Sequence, residues 1–178
     1  MLNKNFYNRN TLDVAKDLLG CKLCRKVDGK ILSGIIVETE AYTQDDPACH
    51  AFRGKTPRAS TLFKQPGIAY VYFVYGMYHC FNVVTESEDT AGAVLIRAIE
   101  PIGPLCNTNG PAKLCRELKI TKELNEIDLT CENSCLWIEK GIEVPKNQIY
   151  TTTRIGIKQA ADYPWRFYVR GNDFVSKK

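Results

Sequence analysis

The stretch Ile31-Leu32-Ser33-Gly34-Ile35-Ile36-Val37-Glu38-Thr39-Glu40-Ala41-Tyr42 decides how the rest of the chain is read. It reads as one long strand. Asp28-Gly29 just before it is a strong two-residue hairpin signal, and Cys21 to Lys26 reads as the partner strand. Side chains of a strand alternate faces, so Glu38, Glu40 and Tyr42 project from one side and Val37, Thr39 and Ala41 from the other. Two acids on one face repel, and an acid beside an aromatic wall is partly desolvated. A catalytic carboxylate would account for such a strand. Alternation alone does not choose between Glu38 and Glu40.

Working outward, Thr11 reads as the N-cap of a helix that carries Leu12, Ala15, Leu18 and Leu19 at helical spacing, with Gly20 as its stop. On the other side, residues 43–66 are polar and basic, punctuated by Pro47, Gly54, Pro57 and Pro66. A loop of this length in a small domain is usually functional, and it carries His50. Ala69 to Tyr75 reads as a strand, Gly76-Met77 as a tight turn, and Tyr78 to Thr85 as the return. Tyr75 at such a tip is poorly placed for a core and well placed to enter something else. Gly92 to Glu100 is a strand ended by Pro101, apolar except for Arg97, which needs an acceptor nearby because a buried unpaired guanidinium is very costly. Asn109 caps a helix with Pro111 in its first turn and Leu114 and Leu118 as its buried stripe. Further strands are expected at Cys135 to Glu139, Gln148 to Arg154 and Trp165 to Arg170. Strands outnumber helices and hairpins join several of them. The expected class is α+β: a single compact domain of 178 residues with a largely antiparallel curved β-sheet, flanking helices and a protruding β-hairpin.

Composition narrows the function. Apolar residues at 44% and charged ones at 25% argue against a disordered chain. No apolar run is long enough to span a bilayer and Met1 to Asn10 has no apolar signal core, so no membrane partner is expected. The expected location is the cytoplasm, at the nucleoid, in a prokaryote and the nucleus in a eukaryote. Without a secretory signal the eight cysteines are expected as free thiols. Cys21-x2-Cys24 with Cys131-x3-Cys135 leaves a zinc-stabilised domain as an alternative, although no Gly-rich knuckle surrounds either pair; the expectation is no metal and no cofactor. Net charge is only +4, but it is segregated. No acid occurs from Pro47 through Thr85, where Arg53, Lys55, Arg58 and Lys64 lie, and Arg154, Lys158, Arg166 and Arg170 face only Asp162. Acids gather at Glu86, Glu88, Asp89 and between Glu117 and Glu143. One basic and one acidic face follow, unless the pattern is ordinary solvated charge.

A carboxylate beside an aromatic, a His in a basic loop, an aromatic hairpin and an Arg in an apolar strand would all be used by an enzyme acting on nucleic acid. Basic side chains hold phosphates, a tip aromatic fills the gap in the stack, other aromatics enclose an extruded base and a carboxylate activates water. A binding module without catalysis would use the aromatics and the basic loop but leave Glu40 and Arg97 without a role.

With these residues in place, the chain resembles the alkyladenine (3-methyladenine) DNA glycosylase family. The matching stretches run in family order: Ile35 to Tyr42 with His50, Lys55-Thr56-Pro57-Arg58, Pro66 to Tyr72, Tyr75-Gly76-Met77-Tyr78 with Asn82, Leu95 to Pro101, Gly110 to Cys115, and Arg166 to Gly171. The resemblance implies a monofunctional glycosylase, expected as a monomer, that hydrolyses the N-glycosidic bond of alkylated or deaminated purines in double-stranded DNA. It implies Glu40 as the base that deprotonates water, Arg97 as its helper, Tyr42, His50 and Tyr72 as the walls around the base, Asn82 at the pocket wall against guanine, and Tyr75 as the intercalating wedge. Arg53, Lys55, Arg58, Lys113 and Arg154 are expected to meet DNA phosphates. Glu38 is expected to be structural. The connection between Asn82 and Arg97 looks longer than in family members, and its acids Glu86, Glu88 and Asp89 are expected to point away from DNA.

Overall fold

The computed structural model describes residues 1–74 and 76–177. In chain order the elements are α1 (Lys4–Tyr7), α2 (Thr11–Asp17), β1 (Lys22–Val27), β2 (Lys30–Thr43), β3 (Ala69–Val74), β4 (Tyr78–Val84), β5 (Gly92–Ile102), α3 (Pro111–Glu117), β6 (Leu136–Glu139), β7 (Ile149–Thr152) and β8 (Arg166–Val169). The Asp28-Gly29 turn forms as expected, with both residues at positive φ, 50° and 76°, the backbone a two-residue hairpin of the I′ type requires. It launches β2, which organises the sheet. β5 pairs along one edge of β2 from Ser33 to Thr43, while β1 and then β8 share the other edge. The order β3-β4-β5-β2-β1-β6 is antiparallel throughout, with β8 on β2 and β7 outside it. The fold is therefore α+β, a curled antiparallel sheet in one compact domain.

The helices cover one face of this sheet. Val14 and Ala15 of α2 with Leu18 at its C-cap, and Leu114 of α3 with Leu118 at its C-cap, are fully buried in one core with Ile36, Ala41, Phe81, Val94, Ile96 and Ile99. Residues 43–66 are less loop-like than their composition suggests. Cys49, Ala51, Ala59, Leu62 and Phe63 are buried in a second cluster with Tyr70, Val84 and Ala93, and a 3-10 turn spans Ser60–Phe63. Short apolar insertions at turn spacing thus anchor a basic segment onto the sheet.

The β2–β5 ladder carries a paired irregularity at the point that matters. Ile36 faces Ile99, Glu38 faces Ala98, and Thr39 faces Ile96, so Val37 and Arg97 are each left over and the register is the same on both sides. Each strand changes phase there. Ile36 and Ile99 lie in the helix-side core, and so do Ile96 and Ala41, while Thr39 donates to the Ala15 carbonyl of α2 at 2.8 Å. Val37 does not share the Thr39 face as alternation predicts: it packs with Ile35, Ala98 and Phe174 on the opposite side. Bulges of this kind re-aim side chains. Here they aim Arg97 at the two glutamates.

Several local expectations are corrected. Asn10, not Thr11, caps α2, accepting from the Leu12 N–H. Thr11 is the first helical residue, and its N–H and hydroxyl both reach the Glu86 carboxylate. Asn109 does not cap α3. Its side chain accepts from Lys113 Nζ at 2.9 Å, and Gly110 stands at the cap without a side-chain bond. β5 runs through Pro101 to Ile102, because β4 pairs with β5 only from Ala93 to Leu95 and the missing N–H of Pro101 leaves no ladder bond unmade on that open side. The Glu86–Asp89 loop packs against the basic segment: Asp89 lies 3.4 Å from Lys55 Nζ and its N–H bonds the Phe63 carbonyl.

Candidate active site

A cavity of about 190 Å³ opens between the second cluster and the sheet. Tyr42 from β2, His50 from the basic segment, Tyr72 from β3 and Asn82 from β4 all line it, so four residues spread over forty positions converge as expected. A void of ~150 Å³ takes a benzene ring, so the space is of the size a flat heterocycle needs. Tyr70 and Arg58 also line it. Tyr70 stands two residues before Tyr72, hence on the same strand face, and that spacing is the signal that places it here.

The aromatic wall is locked by a closed ring of hydrogen bonds. Arg58 Nη2 lies 3.2 Å from His50 Nε2, His50 Nδ1 lies 2.8 Å from the Tyr70 hydroxyl, and that hydroxyl donates to the Arg58 carbonyl at 3.3 Å. Arginine can only donate, so His50 Nε2 accepts and Nδ1 carries the proton. Burial, and then the neighbouring Arg58 charge, push the His50 pKa down to about 4, so the ring is neutral at physiological pH. Its edge meets Tyr72 at 4.7 Å between centroids.

Behind Tyr42 lies a buried group of charges. Glu38 and Glu40 are fully inaccessible, and Arg97 and Arg166 are 6% and 5% exposed. Glu38 Oε1 accepts from Arg97 Nε at 2.9 Å, Arg166 Nε at 2.8 Å and the Ser176 hydroxyl at 2.9 Å, while Oε2 accepts from the Ser176 N–H at 2.6 Å. Burial alone would raise the Glu38 pKa, but Arg97, Ser176 and Arg166 outweigh it and hold the carboxyl below its ordinary value. Glu40 is bonded differently. Its Oε1 meets Arg97 Nη1 at 3.1 Å and the Ile155 N–H at 2.8 Å, and its Oε2 accepts the Tyr42 hydroxyl at 2.8 Å. Burial chiefly, and then the Glu40 charge, raise the Tyr42 pKa, so its hydroxyl stays protonated and donates. Tyr42 is therefore both cavity wall and the link to the carboxylate.

The profile of the methylpurine-DNA glycosylase (MPG) family matches residues 5–173. This chain belongs to that family. It is 51% identical to "Putative 3-methyladenine DNA glycosylase" of Carboxydothermus hydrogenoformans over the whole of both chains. It is 45% identical to the protein of the same name from Clostridium botulinum, again over the whole of both, and 43% identical to that of Herpetosiphon aurantiacus, over 99% of this chain and 88% of the relative. As a methylpurine-DNA glycosylase the protein is a DNA repair hydrolase whose partner is DNA. Among the described residues no helix is long and apolar enough to cross a membrane.

For a methylpurine-DNA glycosylase the remaining side chains sort by exposure. Arg53, Lys55, Arg58 and Lys113 are exposed, as a phosphate contact requires. Arg58 is not free to act by charge alone, since it is tied to His50 and sits 5.8 Å over the Tyr72 ring. Arg154 is a correction. It is buried, bonded to both oxygens of Asp46 and to the Ala41 carbonyl, and stacked 4.6 Å from the Tyr42 ring. A guanidinium so enclosed cannot reach a phosphate, and its work is to back Tyr42. The wedge position Tyr75 lies outside the described residues. Reading the sequence missed Ile155, whose backbone donates to Glu40, and Ser176, which grips Glu38; a backbone donor and a lone serine leave no pattern to find.

Proposed function

We propose that this glycosylase extrudes an alkylated or deaminated purine into the aromatic cavity and hydrolyses its N-glycosidic bond with water deprotonated by Glu40. The observation that carries the reading is the unequal bonding of the two glutamates. Glu38 is saturated by two arginines and a serine, whereas Glu40 Oε2 accepts among the described residues only the Tyr42 hydroxyl. A carboxylate oxygen has about two acceptor directions, so Oε2 has one left for a water admitted behind Tyr42. Arg97 Nη1, 3.1 Å from Glu40 Oε1, fixes the carboxylate from the side opposite Oε2, so that Oε2 is the oxygen we assign to take the proton.

The wall supports the choice of base. Tyr42 and Tyr72 present electron-rich faces, which attract a cationic alkylated purine. Asn82 is held by its Nδ2 bond to the Tyr70 carbonyl at 3.1 Å, a fixed edge against which guanine's exocyclic amine would be read. Among the described residues no lysine lines the cavity, which supports hydrolysis by water without strand cleavage. Tyr75 is the residue we assign to fill the space the base leaves. The test is incubation of the protein with methylated duplex DNA and with duplexes carrying hypoxanthine or ethenoadenine, scored for alkali-labile sites. Release by the parent chain and none by Glu40→Gln, with lesion binding retained, is the expected result; undiminished release by Glu40→Gln removes the base assignment. Normal excision and binding by Tyr75→Ser would likewise remove the wedge.

A further inference from the structure

The C-terminal segment adds something the aromatic cavity and the carboxylate do not explain. It runs back over the sheet and is fastened at successive points. Asn172 Nδ2 donates to Glu100 Oε2 of β5 at 2.8 Å. Phe174 packs with Ile35, Val37 and Ala98 beside the paired irregularity. Val175 is buried. Ser176 then places its N–H and hydroxyl on the two oxygens of Glu38, and its Oγ also meets Arg97 Nη2 at 3.3 Å. The Lys177 carbonyl accepts from Arg166 Nη2.

The consequence lies in the geometry of Arg97. All three of its guanidinium nitrogens are engaged, Nε by Glu38, Nη2 by Ser176 and Nη1 by Glu40. Glu38 and Ser176 together fix the plane of the guanidinium, and that plane sets where Nη1 meets Glu40. The buried group carries two positive and two negative charges, so it is neutral only while every partner stays in place. A buried ion pair that loses a partner is strongly penalised, and its remaining members rearrange toward whatever donor or water is within reach.

We infer that the segment Asn172–Lys177 is a positioning strap for the catalytic pair: Ser176, through Glu38, orients Arg97 and thereby holds Glu40 for proton transfer. Glu38 and Ser176 touch neither water nor base; they act through Arg97. The inference rests on the assignment of Glu40 as the base.

Single-turnover release of bases from methylated duplex DNA tests it, together with binding to the same DNA and thermal unfolding. Ser176→Ala is expected to slow release about 10-fold, and a chain ending at Val175, which also loses the Ser176 N–H, about 100-fold, the scale on which small misplacements of catalytic groups act. Affinity should stay within about twofold of the parent, because no atom of the strap lies in the cavity wall. Ser176→Thr, which keeps both donors, should recover the parent rate. A role in folding alone would change the unfolding temperature while leaving the rate of the folded protein intact, and that result overturns the inference. So does a Ser176→Ala protein as fast as the parent, or one whose affinity falls as far as its rate. Glu40→Gln run alongside separates the two claims. If it is inactive while Ser176→Ala is unimpaired, only the strap fails; if it is fully active, the base assignment fails and takes the strap with it.

Discussion

Arg97 and Arg154 are both buried and both paired with carboxylates, and Tyr42 stands between them. Arg154 is enclosed: its two terminal nitrogens make two bonds to Asp46 and one each to the Ala41 and Ala160 carbonyls, and aromatic rings of Tyr42 and Trp165 lie across its face. Arg97 serves two carboxylates instead of one, and one of those, Glu40, has an oxygen that accepts among the described residues only the Tyr42 hydroxyl. The same chemical pair is therefore closed in one place and, on the proposed mechanism, used for chemistry in the other. What separates them is how many acceptor directions the surroundings leave open.

Variants can break or sharpen this contrast. The largest effect is expected from Glu40→Gln, which keeps shape and hydrogen bonding but not basicity. Excision should fall by roughly 10²–10⁴-fold with little change in lesion binding, measured by single-turnover release. Equal loss of binding would place Glu40 with the structural pair. Next is Asp46→Ala, which strands Arg154 without its carboxylate. It should destabilise the fold by about 3–5 kcal/mol, read as the shift of a urea midpoint, and slow excision only as far as Tyr42 loses its backing. A stability cost as small as that of an exposed pair would deny the buried role of Arg154.

Two smaller effects probe the rim. His50 has a folded-state pKa of about 4 against an ordinary 6.5, so between these values the unfolded chain binds a proton that the folded chain does not. Stability is fully present above pH 6.5 and is lost as pH falls toward 4, by about 2 kcal/mol for a half-buried ring. His50→Asn should flatten that part of the stability–pH curve, measured by urea unfolding at several pH values; an unchanged slope would show that other groups carry it. Finally, Arg53→Gln should weaken binding to damaged and undamaged DNA alike and reduce the slope of affinity against salt by about one. Arg154→Met, by contrast, should leave that slope unchanged, since its charge is sealed from solvent.

Much of the scaffold was legible because it rests on local signals. Asp28-Gly29 fixed one hairpin, Gly76-Met77 another, and the helical spacing of Leu114 and Leu118 placed α3 against the core. The cavity was legible through residue type at matching positions, a tyrosine-rich strand beside a basic, acid-free segment, and through the family resemblance. The capping errors at Thr11 and Asn109 share a cause: another side chain competes for the polar group, Glu86 from a distant strand end in one case and Lys113, four residues on, in the other. Arg154 was misplaced because charge alone does not reveal that Asp46, over a hundred residues away, waits to bury it. Glu38 was set aside as a base on the resemblance alone, and its grip on Arg97 depends on a strand irregularity that alternation does not foresee.

That irregularity also governs how the site can change. Val37 and Arg97 are each the unmatched residue of their strand, and the pairing on either side is in step only because both are present. Deleting Val37 alone would put the two strands out of step for the rest of their length, and deleting Arg97 alone would do the same while removing the cation. Deleting both would restore the ladder but leave the glutamates without their arginine. The strands can therefore be transplanted or redesigned only as a unit, and the length of each is held constant by the chemistry of the other.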